Sequence, residues 1–155
     1  MSKTKSQNFK IIDGTDLILG RICAIIAKKL LMGEKISLIN AEKIIISGNK
    51  RDIIDKYVQR TQRKTRTNPL KGPFQPRRPD MLVKKTVRGM LPRKNDRGVK
   101  ALGRLKVYIG DPIEFQKMKR EDVTSLHPKQ GLEKIKFHFM TVGELSREIG
   151  WNQIV

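Results

Sequence analysis

The stretch LVKKTVRGMLPRKNDRGVKALGRLKVY, Leu82 to Tyr108, separates apolar from basic residues by face within one short span. Helical spacing puts Val83, Val87, Met90 and Leu91 at i, i+4, i+7 and i+8, an inward stripe, while Lys84, Lys85 and Arg88 point elsewhere. Pro92 ends that helix near Leu91, because proline offers no backbone donor and disfavours helix in the residue before it. Asn95 is placed to cap a second short helix, on which Arg97, Lys100 and Arg104 share a face and Val99 and Leu102 turn inward. The chain then leaves as Leu105-Lys106-Val107-Tyr108-Ile109, alternating like a strand. A neutral inner face backs a dense cationic one, an arrangement suited to an anionic polymer.

The charge balance of the chain names the same class of partner. Lys plus Arg is 34 against 15 Asp plus Glu, for a net charge of +19 and a pI near 10.4. Such an excess costs stability through self-repulsion unless a polyanion neutralises it. Residues 50–104 hold 18 Lys/Arg against 4 Asp/Glu, a net of +14, and the other 100 residues carry only +5. The candidate RNA-binding residues are therefore Lys50, Arg51, Lys56, Arg60, Arg63, Lys64, Arg66, Lys71, Arg77, Arg78, Lys84, Lys85, Arg88, Arg93, Lys94, Arg97, Lys100 and Arg104. On this assignment, changing Arg97, Lys100 and Arg104 together to Ala weakens RNA binding and spares the fold, since exposed charges contribute little to stability.

At 155 residues the chain suits one domain with a real core. We divide it into a flexible arm (1–8), a core (9–112) and a C-terminal extension (113–155) ending in a helix. Phe9 to Ile12, closed by Asp13-Gly14, reads as a first strand. Leu17 to Leu31 reads as a buried helix with Ile22, Ile26 and Leu30 on one face and Gly33 as its stop. Ile36 to Ile39 and Ile44 to Ile46 are the next two strands. Strand, helix, strand with short links implies a βαβ unit, and so an α/β fold with a mainly parallel sheet covered on both faces.

A helix after Ser47-Gly48-Asn49 turns Ile53, Ile54, Tyr57 and Val58 inward and Lys56, Arg60 and Arg63 outward. The segment TNPLKGPFQPRRP, residues 67–79, holds four of the seven prolines and so takes a stiff, extended path without a regular ladder, a strap over something negative. Further on, we expect loop from Gly110 to Gly131 with a short helix around Glu114 to Lys119, and a strand over Phe137 to Met140. Thr141-Val-Gly-Glu144 spells a capping box, with Met140 and Leu145 as its staple, and Val142, Leu145 and Ile149 dock the last helix before Gly150 stops it.

Catalytic and cofactor chemistry finds little support. Gly14 to Arg21, GTDLILGR, has five residues between glycines where a P-loop has four, Arg21 where lysine belongs and Ile22 where a magnesium-binding hydroxyl belongs. No GxGxxG occurs. His127 and His138 lie far from the single cysteine, Cys23, so we expect no metal site, and Cys23 itself reads as a buried, inert thiol. Asp52 and Asp55 read as exposed ion-pair partners of nearby bases. No apolar run approaches the about 18 residues of a membrane span, and we expect no cofactor, no small-molecule substrate and no membrane partner. Only Tyr57, Phe74 and Tyr108 of the eight aromatics fall near the basic window, too few for a base-stacking platform. Phosphate contacts fix position and affinity without reading sequence, so we expect folded RNA to be recognised by shape. DNA is less well served, lacking a helix-turn-helix pattern or zinc-finger spacing.

The runs IIDGTDLILGRICAIIAKKLL, ISLINAEKIIISGNKR and TVRGMLPRKNDRGVKALGRLKVYIGDP, in that order and approximate spacing, resemble the L-thirteen family of large-subunit ribosomal proteins. GPFQPRRPD and TVGELSREIGW are similar to its archaeal and eukaryotic branch. The resemblance covers Phe9 to Pro112 closely, and residues 113–136 match nothing dependable. It implies a three-layer α/β/α domain with a small four-stranded parallel sheet. It also implies a cytoplasmic place in the ribosome, on large-subunit ribosomal RNA beside neighbouring ribosomal proteins, with a structural role in assembly and no catalysis. An RNA-modifying enzyme on a similar sheet would need the cofactor loop that the chain lacks, and a free RNA-binding regulator would use the same surface.

Overall fold

Two adjacent isoleucines show how the protein is layered. In the computed structural model, which describes residues 9–116, 118–121 and 138–152, Ile11 and Ile12 lie on strand β1 (Phe9–Asp13) and both are buried. Strand side chains alternate in direction, so the two enter different cores. Ile12 joins the large cluster built with helix α1 (Leu19–Leu31) and helix α3 (Pro79–Met90). Ile11 joins a small one with Ile39 and Phe115, the latter from helix α5 (Ile113–Gln116). The sheet therefore has helices on both faces, as expected, with most of the apolar mass on one of them.

That sheet has four strands in the order β4-β2-β1-β5, with β2 over Lys35–Ile39, β4 over Leu105–Val107 and β5 over Arg120–Glu121. Every pairing in it is parallel. β5 contributes two residues and is tied down by charge: Arg120 Nη1 donates to Asp13 Oδ2 at 2.8 Å and its Nη2 reaches Asp111, while Lys29 Nζ lies 2.6 Å from Glu121. Burial pushes the Asp13 carboxyl up, but hydrogen bonds from Asn40 and Thr15 and the charge of Arg120 outweigh it and hold the group below its ordinary value.

The strand expected over Ile44 to Ile46 forms as β3 (Ile45–Ser47), but it does not join the parallel sheet. A parallel neighbour needs a crossover of about a dozen residues or more. Only Asn40 to Ile44 separates β2 from β3, and those residues spend themselves on a left-handed Asn40 (φ 55°) and a 3-10 turn over Ala41–Lys43. β3 pairs antiparallel with β6 (Phe139–Thr141) instead, Ile46 opposite Met140. Of the strand expected over Phe137 to Met140, His138 is not in strand and Phe139 opens β6, while Phe137 lies outside the described residues together with the 1–8 arm, His127 and most of 113–136. The short helix expected near Glu114 to Lys119 begins and ends earlier, as α5.

Caps decide where the helices stop and start. α1 starts at Leu19 rather than Leu17, because Leu17 and Ile18 are held extended, Ile18 in a bridge to Ile45. It ends in a Schellman motif: Gly33 at φ 98° donates to Leu30 O and Glu34 to Lys29 O, a left-handed turn that glycine adopts without Cβ strain. The last helix, α6 (Val142–Glu148), opens on the expected capping box, with Glu144 N–H donating to Thr141 Oγ1 at 3.1 Å and Thr141 N–H donating to Glu144 Oε2 at 3.4 Å. Met140, Val142, Leu145 and Ile149 are all buried beside it.

The Leu82–Tyr108 stretch forms two helices around Pro92, as read, but two of its apolar residues face outward. Val83, Val87 and Leu91 are buried, whereas Met90 is 42% exposed. The chain leaves helical geometry at Leu91 (ψ 151°), which turns that side chain inward so that it closes the stripe in place of Met90. In helix α4 (Asp96–Gly103) the inner face consists of Gly98 and Ala101, and Val99, next round the helix, is 63% exposed. Asn95 occupies the N-cap position without a side-chain cap; its carbonyl accepts from Gly98 N–H at 3.0 Å.

The contact under α4 admits no side chain. A Cβ placed on Gly98 would stand 2.0 Å from the Pro92 carbonyl oxygen. Gly98→Ala should therefore cost about 1–3 kcal/mol or more by overpacking, although alanine is ordinarily the better helix former. Thermal denaturation of this variant beside Gly103→Ala, whose Cβ meets nothing, checks it: Gly98→Ala melts lower and Gly103→Ala does not.

Candidate nucleic-acid interface

Helix α2 (Lys50–Gln62) begins the basic surface. Asn49 caps it, its side chain accepting from Arg51 N–H at 3.3 Å. Ile53 is buried, and Ile54, Tyr57 and Val58 pack against the large core. That leaves Arg51, Lys56, Asp52 and Asp55 exposed, with Arg60 half-buried and its guanidinium 5.2 Å from the Tyr57 ring. Neither aspartate forms the expected ion pair among the described residues. Arg63 lies just past the helix end, exposed like Lys64 and Arg66.

The strap follows. A 3-10 turn over Pro69–Lys71 is closed by Asn68, whose Oδ1 accepts from Leu70 N–H at 3.0 Å, and the chain then runs to Arg78 without helix or strand. Pro79 occupies the first turn of α3, where a missing N–H costs nothing. Two contacts tie the strap's second half to its own protein. Lys85 Nζ of α3 donates to Phe74 O at 3.4 Å and to Gln75 Oε1. Arg77 lies so near the end of α6 that a Cβ on Gly150 would come within 3.3 Å of its Nη1.

α3 supplies Lys84, Lys85 and Arg88, and the Pro92 loop supplies Arg93 and Lys94. Desolvation, then the positive charges of Arg60, Arg88 and Arg93, hold the Lys85 ammonium below its ordinary pKa. Residues far apart in sequence thus converge to repel one another, which a polyanion would relieve. This cluster, running from the end of α2 across the strap to α3 and the Pro92 loop, is what the fold builds from the basic window.

Not every candidate serves it. Arg104 is half-buried, and its Nη2 donates to Leu30 O at 2.7 Å; Arg97 Nη2 donates to Leu31 O at 3.3 Å. Both guanidiniums bind carbonyls at the C-terminus of α1, where the helix dipole favours a cation. Helical spacing placed them with Lys100 on one face, yet Arg97 and Arg104 reach a helix end that only the tertiary structure supplies, while Lys100 stays exposed. Arg78 makes two 3.2 Å bonds to Asp80, and Lys50 lies 3.6 Å from Glu144. Charges that sequence reasoning passed over lie elsewhere: Lys35 and Lys106 Nζ stand 5.8 and 5.1 Å from the Phe9 ring, on the small-cluster face of the sheet.

Cys23 is fully buried and its thiol is pushed up to about 12 by desolvation, far from nucleophilic range. Among the described residues there is no cluster of three metal-ligating side chains, and no helix long and apolar enough to cross a membrane.

The profile of the family Ribosomal protein L13 matches residues 7–114. A large ribosomal subunit protein uL13 from Methanopyrus kandleri is 40% identical over 152 residues, covering 94% of this chain and 89% of the relative. Proteins of the same name from Archaeoglobus fulgidus (39%; 98% of this chain, 94% of the relative) and Caenorhabditis elegans (42%; 91% and 69%) are similar over comparable spans.

The α1 cap gives a direct test. Arg104→Ala should destabilise the protein by about 1.5–3 kcal/mol, since hydrogen bonds to charged groups are worth about that much and Leu30 O loses one. Lys100→Ala should leave the melting temperature unchanged. Denaturant titration of the two variants decides it, and equal stability would mean that the guanidinium adds nothing to the α1 terminus.

Proposed function

The chain belongs to the Ribosomal protein L13 family, and from that premise we propose that it is a structural component of the large ribosomal subunit that binds and stabilises folded ribosomal RNA through phosphate contacts and supports subunit assembly. The observation that carries the RNA contact is where these cations sit: Arg60 of α2 and Lys85 of α3 line one hollow, and Arg88 of α3 lines another with Arg93 and Lys94 of the Pro92 loop. Like charges brought together on a packed scaffold lose their mutual repulsion when phosphates come between them. Arg63, Lys64, Arg66, Lys71, Lys94 and Lys100 extend the surface. Recognition is by shape: the cationic surface is made of helix faces and a strap, and its exposed aromatic, Phe74, stands alone there. The role is structural rather than catalytic, and the neighbours are other large-subunit proteins.

The strap adds an ordering step. Ordering costs roughly 1–2 kcal/mol per residue, less where prolines already restrict the chain. One anchor, the bonds from Lys85 at Phe74–Gln75, holds its second half, and Arg77 lies beside the end of α6. In limited proteolysis the free protein should be cut first beside Lys71, ahead of Arg77, and assembled subunits should protect both bonds. Equal resistance in the two states would mean that the strap is not clamped by RNA.

The main test is electrostatic. Binding to a large-subunit RNA fragment should weaken linearly on a log–log plot as salt rises, because phosphates neutralised by Lys and Arg release condensed counterions, at about 0.7–0.9 of slope per contact. The protein should also cosediment with large subunits in a cell lysate. A slope near zero would remove phosphate contact as the main source of affinity.

A further inference from the structure

Beside the cationic cluster lies a groove of about 570 Å³, lined by Arg88, Leu91, Arg93, Lys94, Val99 and Leu102. Its floor is apolar and its rim carries three cations, with no acidic side chain among the lining residues. The floor exists because α4 turns Gly98 toward Pro92, which rotates Val99 out of the core and leaves it 63% exposed. An apolar floor inside a ring of positive charge is a poor surface for water and for plain duplex RNA, whose outer surface is phosphate and sugar. It matches a chemical group that is flat and apolar on its faces and flanked by negative charge.

We propose that this groove receives one unpaired, extrahelical nucleotide of the bound RNA, its base lying on Leu91, Val99 and Leu102 and its flanking phosphates on Arg88, Arg93 and Lys94. The proposal rests on the RNA-binding function argued above and adds a distinct mode of contact to it. Unstacked bases splayed from loops and bulges are the part of RNA that proteins reach most readily, and a guanidinium plane can stack on them where aromatic rings are lacking. The volume lies within the range of small-molecule pockets. The floor side chains carry no hydrogen-bonding group, so the groove selects an unpaired nucleotide over a paired one and discriminates poorly among base types.

Two measurements test this. In the first, a photoreactive phenylalanine analogue replaces Val99 in the full chain, large subunits are isolated and irradiated, and the crosslink is mapped. A crosslink to a single unpaired nucleotide is expected. A crosslink to a neighbouring protein would overturn the proposal and assign the groove to an acidic, apolar peptide segment. No crosslink from subunits that contain the variant would leave the groove empty and also overturn it, without touching phosphate binding elsewhere.

In the second, Val99→Ala is compared with Arg93→Ala on naked large-subunit RNA across a salt series. Val99→Ala should bind about tenfold more weakly, the equivalent of the methyl groups lost from a covered apolar surface, with an unchanged log–log slope. Arg93→Ala should lower the slope by roughly 0.7–0.9. Unchanged affinity for Val99→Ala would overturn the proposal. A wild-type slope near zero would instead fail the RNA-binding function itself, and the groove's role with it.

Discussion

The burial of α1 against the sheet and α3 is the constraint on which the rest depends. Ile22, Cys23, Ile26 and Leu30 are fully buried along one side of that helix, and they meet Ile12, Ile36 and Leu38 from the sheet and Val83 and Val87 from α3 in one continuous cluster. Each such side chain is worth about 1.5–3 kcal/mol when taken from water. An assembly carrying +19 charges needs that apolar gain, since its surface works against compactness. α1 also sets the position of α4, because its exposed terminal carbonyls are what Arg97 and Arg104 reach for.

The same packing divides the basic residues into two populations. One closes the protein upon itself: Arg104 and Arg97 at the end of α1 and Arg78 on Asp80, while Lys85, bonded to the strap inside the cationic cluster, belongs to both. The other, including Arg88, Arg93 and Lys94, is turned outward around a common field. A single charge count over residues 50–104 merges the two. The distinction matters physically, because a guanidinium already bonded to a helix terminus must break that bond before it can take a phosphate. The strap stands between the populations, held to α3 by one lysine and set beside the end of α6 by one arginine.

Patterns that depend on neighbours along the chain were legible without coordinates. The period of Ile22, Ile26 and Leu30, the stop at Gly33, the break at Pro92, the Thr141–Glu144 box and the burial of Val83, Val87 and Leu91 all follow from spacing and local backbone chemistry. So did the parallel α/β class, because short links between apolar strands and a helix leave few other arrangements. The concentration of positive charge in one third of the chain was equally plain.

Facts that join distant segments were not. β3 had the composition of a buried strand, and although its short link to β2 bars it from a parallel place in the sheet, the partner it takes instead, β6, lies almost a hundred residues on. Val99 and Met90 fit the helical period and still face outward, since the inner side of α4 was taken by Gly98, which approaches Pro92 too closely for any side chain, and Leu91 closed the α3 stripe. Arg104 carried the signature of a surface charge and became a helix cap through a carbonyl 74 residues away. Periodicity says which residues share a face; only the packing of elements against one another says what that face meets, because burial is a property of pairs of surfaces and not of either one alone.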